Sequence, residues 1–357
     1  MPSKRALVFI VSILFVALVA GCAPPPAATP VGDAQAAPTQ AAPVATAGRT
    51  PLKVSVSPYL SYAPFYIALE EGFFAEQGLD VEVVKVTRPA DALPALAQGD
   101  LDVLGTNIVS SLLNAMARES GVRIVASTAQ EVDTMNCVYD GFMIRSSLSL
   151  TSTADIGPET LRGWRFYANL LSSAGYVLDA LLGRYGLSVD DVTILNLSGG
   201  ATMLAALQEN GVDVAHMVEP WITRARAAGV GSVWFSQTAF MPEAQSSVLV
   251  FGPSLLKNNP EAGMRFMVAY LKGVRQYREG KTERNLEILA KYLELERDLL
   301  LETCFPQVPA DGVIFTQSID EFSKWAAERD YIDRPIMADE FWDPRFVEHA
   351  VAVLGQP

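Results

Sequence analysis

The sequence predicts an α/β protein of two lobes, and three observations carry that prediction. From about residue 51 onward, short alternating apolar runs take turns with amphipathic runs of helical period. This strand and helix pattern fills two successive blocks of chain, and the apolar segment SSVLVFGPSLL (246–256) stands where the chain would return from the second block to the first. Two crossings of that kind make a hinge.

In the first block LKVSVS (52–57) reads as a strand, 64–75 as a helix with proline early, and LDVEVVKV (79–86) as a second strand after Gly78. A helix over 90–98, a strand LDVLGT (101–106), a helix over 109–118 and a strand VRIVAST (122–128) follow. Such a repeat calls for a parallel sheet covered on both faces. The second block has a strand at 164–168, a helix at 174–185, a strand DVTILNLSG (191–199), a helix at 201–209, a strand GVDVAHMV (211–218) and a helix at 219–228. After the return, 260–280, 283–293 and 319–329 read as helices. The expected organisation is one lobe from 51–140 with 246–357, and a second lobe from 141–245.

Ahead of the folded part, Lys4 and Arg5 precede an apolar run from Ala6 to Ala20, too short for a membrane span and suited to an export signal. Leu18-Val19-Ala20-Gly21-Cys22 resembles the lipobox of bacterial lipoproteins, which implies cleavage after residue 21, acylation of Cys22 and a lipid anchor outside the cytoplasm. A plain signal peptide with an incidental cysteine is the alternative. Residues 22–50 are almost wholly Ala, Pro, Thr, Gln and Gly, without aromatic residues, and are expected to be a disordered tether.

Removing Lys4 and Arg5 leaves 25 basic residues against 40 acidic, a net charge near −15. Nucleic acid, which needs a basic face, is not an expected partner. With two histidines, His216 and His349, and no cysteine or histidine cluster, zinc or iron has little to bind, and no cofactor is expected. Cys137 and Cys304 are either a disulfide, which export permits, or two separate buried thiols.

YAPFYIALEEGFFAEQGLDVEVV (62–84) and LSGGATMLAALQENGVDVAHMVEPW (197–221) resemble the type 2 periplasmic binding proteins related to thiamine-pyrimidine synthases. That family includes binders of riboflavin, thiamine pyrimidines, alkylsulfonates, taurine and nitrate. The resemblance spans residues 52–293 and implies the two-lobed type 2 periplasmic binding protein fold, with a hinge and an interlobe ligand cleft. It also implies a monomeric substrate-binding lipoprotein that delivers a small molecule to an ABC permease and its ATPase subunit. The enzyme branch of the family carries a cysteine-rich iron motif that this chain lacks, so binding is expected rather than catalysis.

Ligand sites in open sheets lie beyond the carboxyl ends of strands. Tyr59 and Tyr62, on the loop before Pro64, are pocket candidates, whereas helical spacing assigns Phe65 and Tyr66 to the core. Asn107 can cap a helix or offer its amide to a ligand, and Asn169, Ser172 and Ser173 precede a helix whose first-turn amides are unpaired. Glu219 either caps a helix start or accepts hydrogen bonds from ring N–H groups, with Trp221 as a stacking face. Asp140 is a weaker candidate or a turn residue. A sulfonate would want a committed cation, and Arg88, Arg165 and Arg224 are the arginines nearest these loops. The carboxylate and rings suit a planar, nitrogen-rich vitamin heterocycle better. A flavin and a thiamine-type pyrimidine stand level, ahead of sulfonates or taurine.

Overall fold

Two five-stranded sheets form the frame of the computed structural model, which describes residues 48–85, 92–132, 135–148, 156–195 and 199–356. The leader, Cys22, the tether to residue 47 and Arg88 lie outside the described residues. The first sheet has β1 (Thr50–Ser55), β2 (Leu79–Val83), β3 (Val103–Asn107), β4 (Arg123–Val132) and β10 (Glu243–Phe251), in the order β2-β1-β3-β10-β4. The second has β5 (Asp140–Arg145), β6 (Arg165–Tyr167), β7 (Thr193–Leu195), β8 (Val214–Val218) and β9 (Gly231–Ser236), in the order β7-β6-β8-β5-β9.

The strand and helix repeat led to the expectation of a parallel sheet, and this needs correction. Strand β10 runs antiparallel to β3 and β4, and β5 runs antiparallel to β8 and β9. Each reversed strand is the one that enters its sheet from a crossing, so it arrives from the opposite end to strands fed by helices. The two sheets therefore repeat one plan.

Alternation along the strands assigns side chains to cores on the two faces of each sheet. In β10, Leu249 and Phe251 join a core with Phe65, Phe74 and Phe266, while Val248 and Val250 join one with Leu112, Phe322 and Trp325. In β5, Phe142 and Ile144 face Trp164 and Leu178, whereas Met143 faces Met203 and Ile222. Phe74 and Phe266 have ring centroids 4.8 Å apart, and Tyr66 stacks on Tyr292 at 5.0 Å, so the helical rings are core. The helix expected over 64–75 breaks at Gly72, whose φ of 75° is left-handed, giving Ala63–Glu70 and Phe73–Glu76.

Cys137, between β4 and β5, and Cys304, after the helix Arg297–Glu302, form a disulfide with a Cα separation of 5.7 Å. Of the two alternatives open in the sequence, the structure takes the bridge. It ties the first crossing to the C-terminal helices. The helix Thr316–Glu328 in turn touches the second lobe: Trp325 Nε1 donates to Asp179 at 3.1 Å, and Arg329 pairs with the same carboxylate.

Candidate ligand-binding cleft

The carboxyl ends of β1 and β3 in one sheet meet those of β6 and β8 in the other. The Ser110 amide donates to the Leu171 carbonyl at 2.8 Å, and Val109 forms a bridge with Ser172. Tyr59 of the first lobe is close enough to Tyr167 of the second to raise its pKa, though burial is the larger cause. Tyr59, Tyr62, Asn107, Asn169, Ser172, Ser173 and Glu219 follow or end these strands in the chain, but their surroundings differ.

Tyr59 is 37% exposed, beside the short turn Leu60–Tyr62, and Asn107 is exposed at the end of β3 opposite Ser247. Asn169 is exposed too, its Oδ1 accepting from the Leu171 amide at 3.1 Å. Ser172 is buried and donates to the Asn169 carbonyl at 2.7 Å, so it does not cap the helix Ser173–Gly183 that it precedes. Ser173 is half-buried in the first turn of that helix. Tyr62 is 1% exposed and packs so closely on Gly105 that a Cβ there would lie 2.5 Å from its ring. Its hydroxyl makes no hydrogen bond of good geometry among the described residues, and burial pushes its pKa far up, with smaller contributions from Tyr66 and Tyr59 that the nearby Ser61 hydroxyl partly opposes.

Glu219 is buried and its carboxylate is already occupied. It accepts from the Thr223 amide at 2.9 Å, the Thr223 hydroxyl at 2.8 Å and the Cys304 amide at 3.2 Å. Burial raises its pKa and these hydrogen bonds only partly oppose the rise. The geometry is that of a helix-start cap with a second tie to the segment carrying the disulfide. Trp221 is half-buried, with the Arg224 guanidinium 4.6 Å from its ring centre, and it closes over Gly200 so tightly that a Cβ there would lie 2.1 Å from Nε1. Asp140 is buried and paired with His216 Nε2.

Several polar groups that the sequence did not single out are buried without partners among the described residues: Oε1 of Glu131, both amide atoms of Gln237, and the hydroxyls of Ser110 and Ser246. Burial pushes the Glu131 carboxyl well above the usual carboxylate range, and Asp140 adds to the rise. Glu131 sits in a strand otherwise rich in small and apolar residues, VASTAQEV, which is the one signal that marked it.

Of the arginines considered for an anion, Arg165 is engaged elsewhere, while Arg224 lies over Trp221. Arg165 bonds Asp213 through its backbone amide at 2.7 Å and its Nε at 3.1 Å, and Arg145 Nε adds 2.7 Å to the same carboxylate. Burial alone would raise Asp213, but these bonds outweigh it and hold its pKa below the usual range. Among the described residues, the buried polar and charged side chains include no lysine or arginine. No group of three or more His, Cys, Asp or Glu is placed to hold a metal ion there.

Comparison with known proteins agrees with this architecture. The chain is 27% identical over 274 residues to the riboflavin-binding protein RibY of Chloroflexus aurantiacus, covering 75% of this chain and 73% of that one. It is 23% identical over 290 residues to the formylaminopyrimidine-binding protein of Halalkalibacterium halodurans, covering 77% and 83% respectively. The periplasmic nitrate-binding protein of Synechocystis PCC 6803 shares the fold with a TM-score of 0.67 at 15% identity, over 87% of this chain and 90% of that one. The NMT1/THI5 like family matches residues 60–280, and the chain belongs to that family.

Proposed function

We propose that the protein captures an uncharged or weakly cationic nitrogen heterocycle between its lobes and hands it to an ABC-type permease driven by an ATPase subunit. The observation that carries this reading is the polar content of the cleft region. Carboxyl groups of Glu131, Asp140 and Glu219 are buried near the crossings and strand ends, while no lysine or arginine is buried among the described residues. An anion enclosed there would meet buried carboxyls without a buried cation among the described residues to offset its desolvation. A heterocycle that both donates and accepts hydrogen bonds meets groups that can do the same.

Two relatives named for riboflavin and formylaminopyrimidine support this ligand class over nitrate, taurine or an alkylsulfonate. In this reading the lobes close about the two crossings and bury the ligand, with Tyr59 and Tyr62 on one wall and Asn107, Asn169, Ser172 and Ser173 around the mouth. Cys22 carries a lipid anchor that keeps the protein at the membrane. Native mass spectrometry of freshly purified protein tests the reading. A copurifying flavin or aminopyrimidine mass supports it, and a sulfonate or nitrate adduct contradicts it.

A further inference from the structure

Three buried side chains around the crossings have hydrogen-bonding atoms without a partner among the described residues: Oε1 of Glu131 in β4, the amide of Gln237 in the turn between β9 and β10, and the hydroxyl of Tyr62 after β1. They are 2%, 0% and 1% exposed, so bulk water does not satisfy them either. The fold draws them to one region. The turn Gln237–Ala239 packs on β4, β5 and β10, and the turn Leu60–Tyr62 packs on β4. Tyr139, at the start of β5, lies within electrostatic reach of Glu131, Asp140 and Tyr62 at once.

Loose packing alone does not explain these orphans, because most polar groups beside them are paired, the Ser246 hydroxyl being an exception. The two N–H groups of the Gln245 amide are shared among Ser127 Oγ and the Ala129 and Ser247 carbonyls at 2.8–3.1 Å, and its oxygen accepts from the Gln130 side-chain amide and the Phe315 backbone amide. Asp140 is paired with His216. Buried polar atoms in native folds are seldom left unpaired, and those that are call for an explanation.

We propose that Glu131, Gln237 and Tyr62 form the floor of the cleft and read the donor–acceptor edge of a planar heterocycle such as an imide or an aminopyrimidine. The inference rests on the heterocycle reading above and deepens it by naming which edge is read and by which residues. A carboxyl whose pKa burial raises, a primary amide and a phenol offer donors and acceptors between them, and none carries a positive charge. Such a set discriminates strongly, since a ligand lacking the edge leaves all three groups unpaired.

Calorimetric titration of the intact protein with riboflavin, N3-methylriboflavin and 4-amino-5-hydroxymethyl-2-methylpyrimidine tests this, using wild type, Glu131→Leu and Gln237→Leu. Whichever of riboflavin and the pyrimidine binds wild type should bind each variant at least tenfold more weakly, while the ligand-free variants melt no lower than wild type. If riboflavin is the ligand, blocking its imide N–H should weaken binding to wild type about tenfold and leave binding to Glu131→Leu unchanged. If the leucine variants do not fold, Glu131→Met and Tyr62→Phe carry the same comparison. Wild-type affinity in the variants overturns the floor and leaves the heterocycle reading standing. A wild-type protein that binds neither compound overturns the heterocycle reading, and the floor falls with it.

Discussion

Glu219 and Glu131 are both buried carboxyls near the cleft, one at the end of β8 and the other near the end of β4, yet the protein treats them in opposite ways. Glu219 accepts three hydrogen bonds, one of them from Cys304 across the lobes, whereas Oε1 of Glu131 has no partner among the described residues. A satisfied carboxylate holds the fold together, and an unsatisfied one is a standing cost that the native state keeps for another reason. Burial alone does not separate these two roles. Counting partners does.

The largest effect should come from the disulfide that holds the segment whose Cys304 amide reaches Glu219. Replacing Cys137 and Cys304 together with alanine releases a loop spanning 167 residues. Stability measured by denaturant titration should fall by about 4 kcal/mol. Glu219→Ala should cost about 3 kcal/mol by leaving the Thr223 and Cys304 donors unpaired. If it instead left stability intact and abolished ligand binding, Glu219 would hold the role assigned to Glu131, and the comparison would invert.

The pH dependence sharpens the contrast at smaller amplitude. The folded-state pKa of Glu131 is raised above the unfolded value near 4.5, chiefly by burial and then by Asp140. The native state therefore binds more protons than the unfolded state above that value. Its contribution is fully present below about pH 4.5 and is lost as pH rises through the folded value. Glu131→Gln removes this titration, so its melting temperature relative to wild type should climb between pH 4.5 and pH 7. A constant difference over that range would mean that the carboxyl is not desolvated. The smallest effect is expected at Tyr59, which is 37% exposed, where alanine should change stability by no more than about 0.5 kcal/mol.

Much of the frame was legible because one strand face or one helix stripe carries its own period. Strands β1, β3 and β8 and the helices Pro260–Tyr277 and Glu283–Leu293 follow from pattern alone. Strand β5 was not, because all but its last residue are buried and no alternation shows. Its reversed direction, like that of β10, is a property of the crossings rather than of any local run. At the site, the rule that ligands gather at strand carboxyl ends led to Tyr59, Asn107, Asn169 and Glu219. It could not reveal that the Glu219 carboxylate is occupied, since one donor lies 85 residues away. The same reasoning passed over Glu131 and Gln237, whose interest lies in partners they lack.

The central claim is that the cleft holds an uncharged, hydrogen-bonding heterocycle rather than an anion. Calorimetric titration of the wild-type protein with riboflavin, 4-amino-5-hydroxymethyl-2-methylpyrimidine, taurine and nitrate tests it most directly. The account predicts saturable binding of one of the two heterocycles and no binding heat from taurine or nitrate. Saturable binding of taurine or nitrate, with neither heterocycle bound, would contradict it.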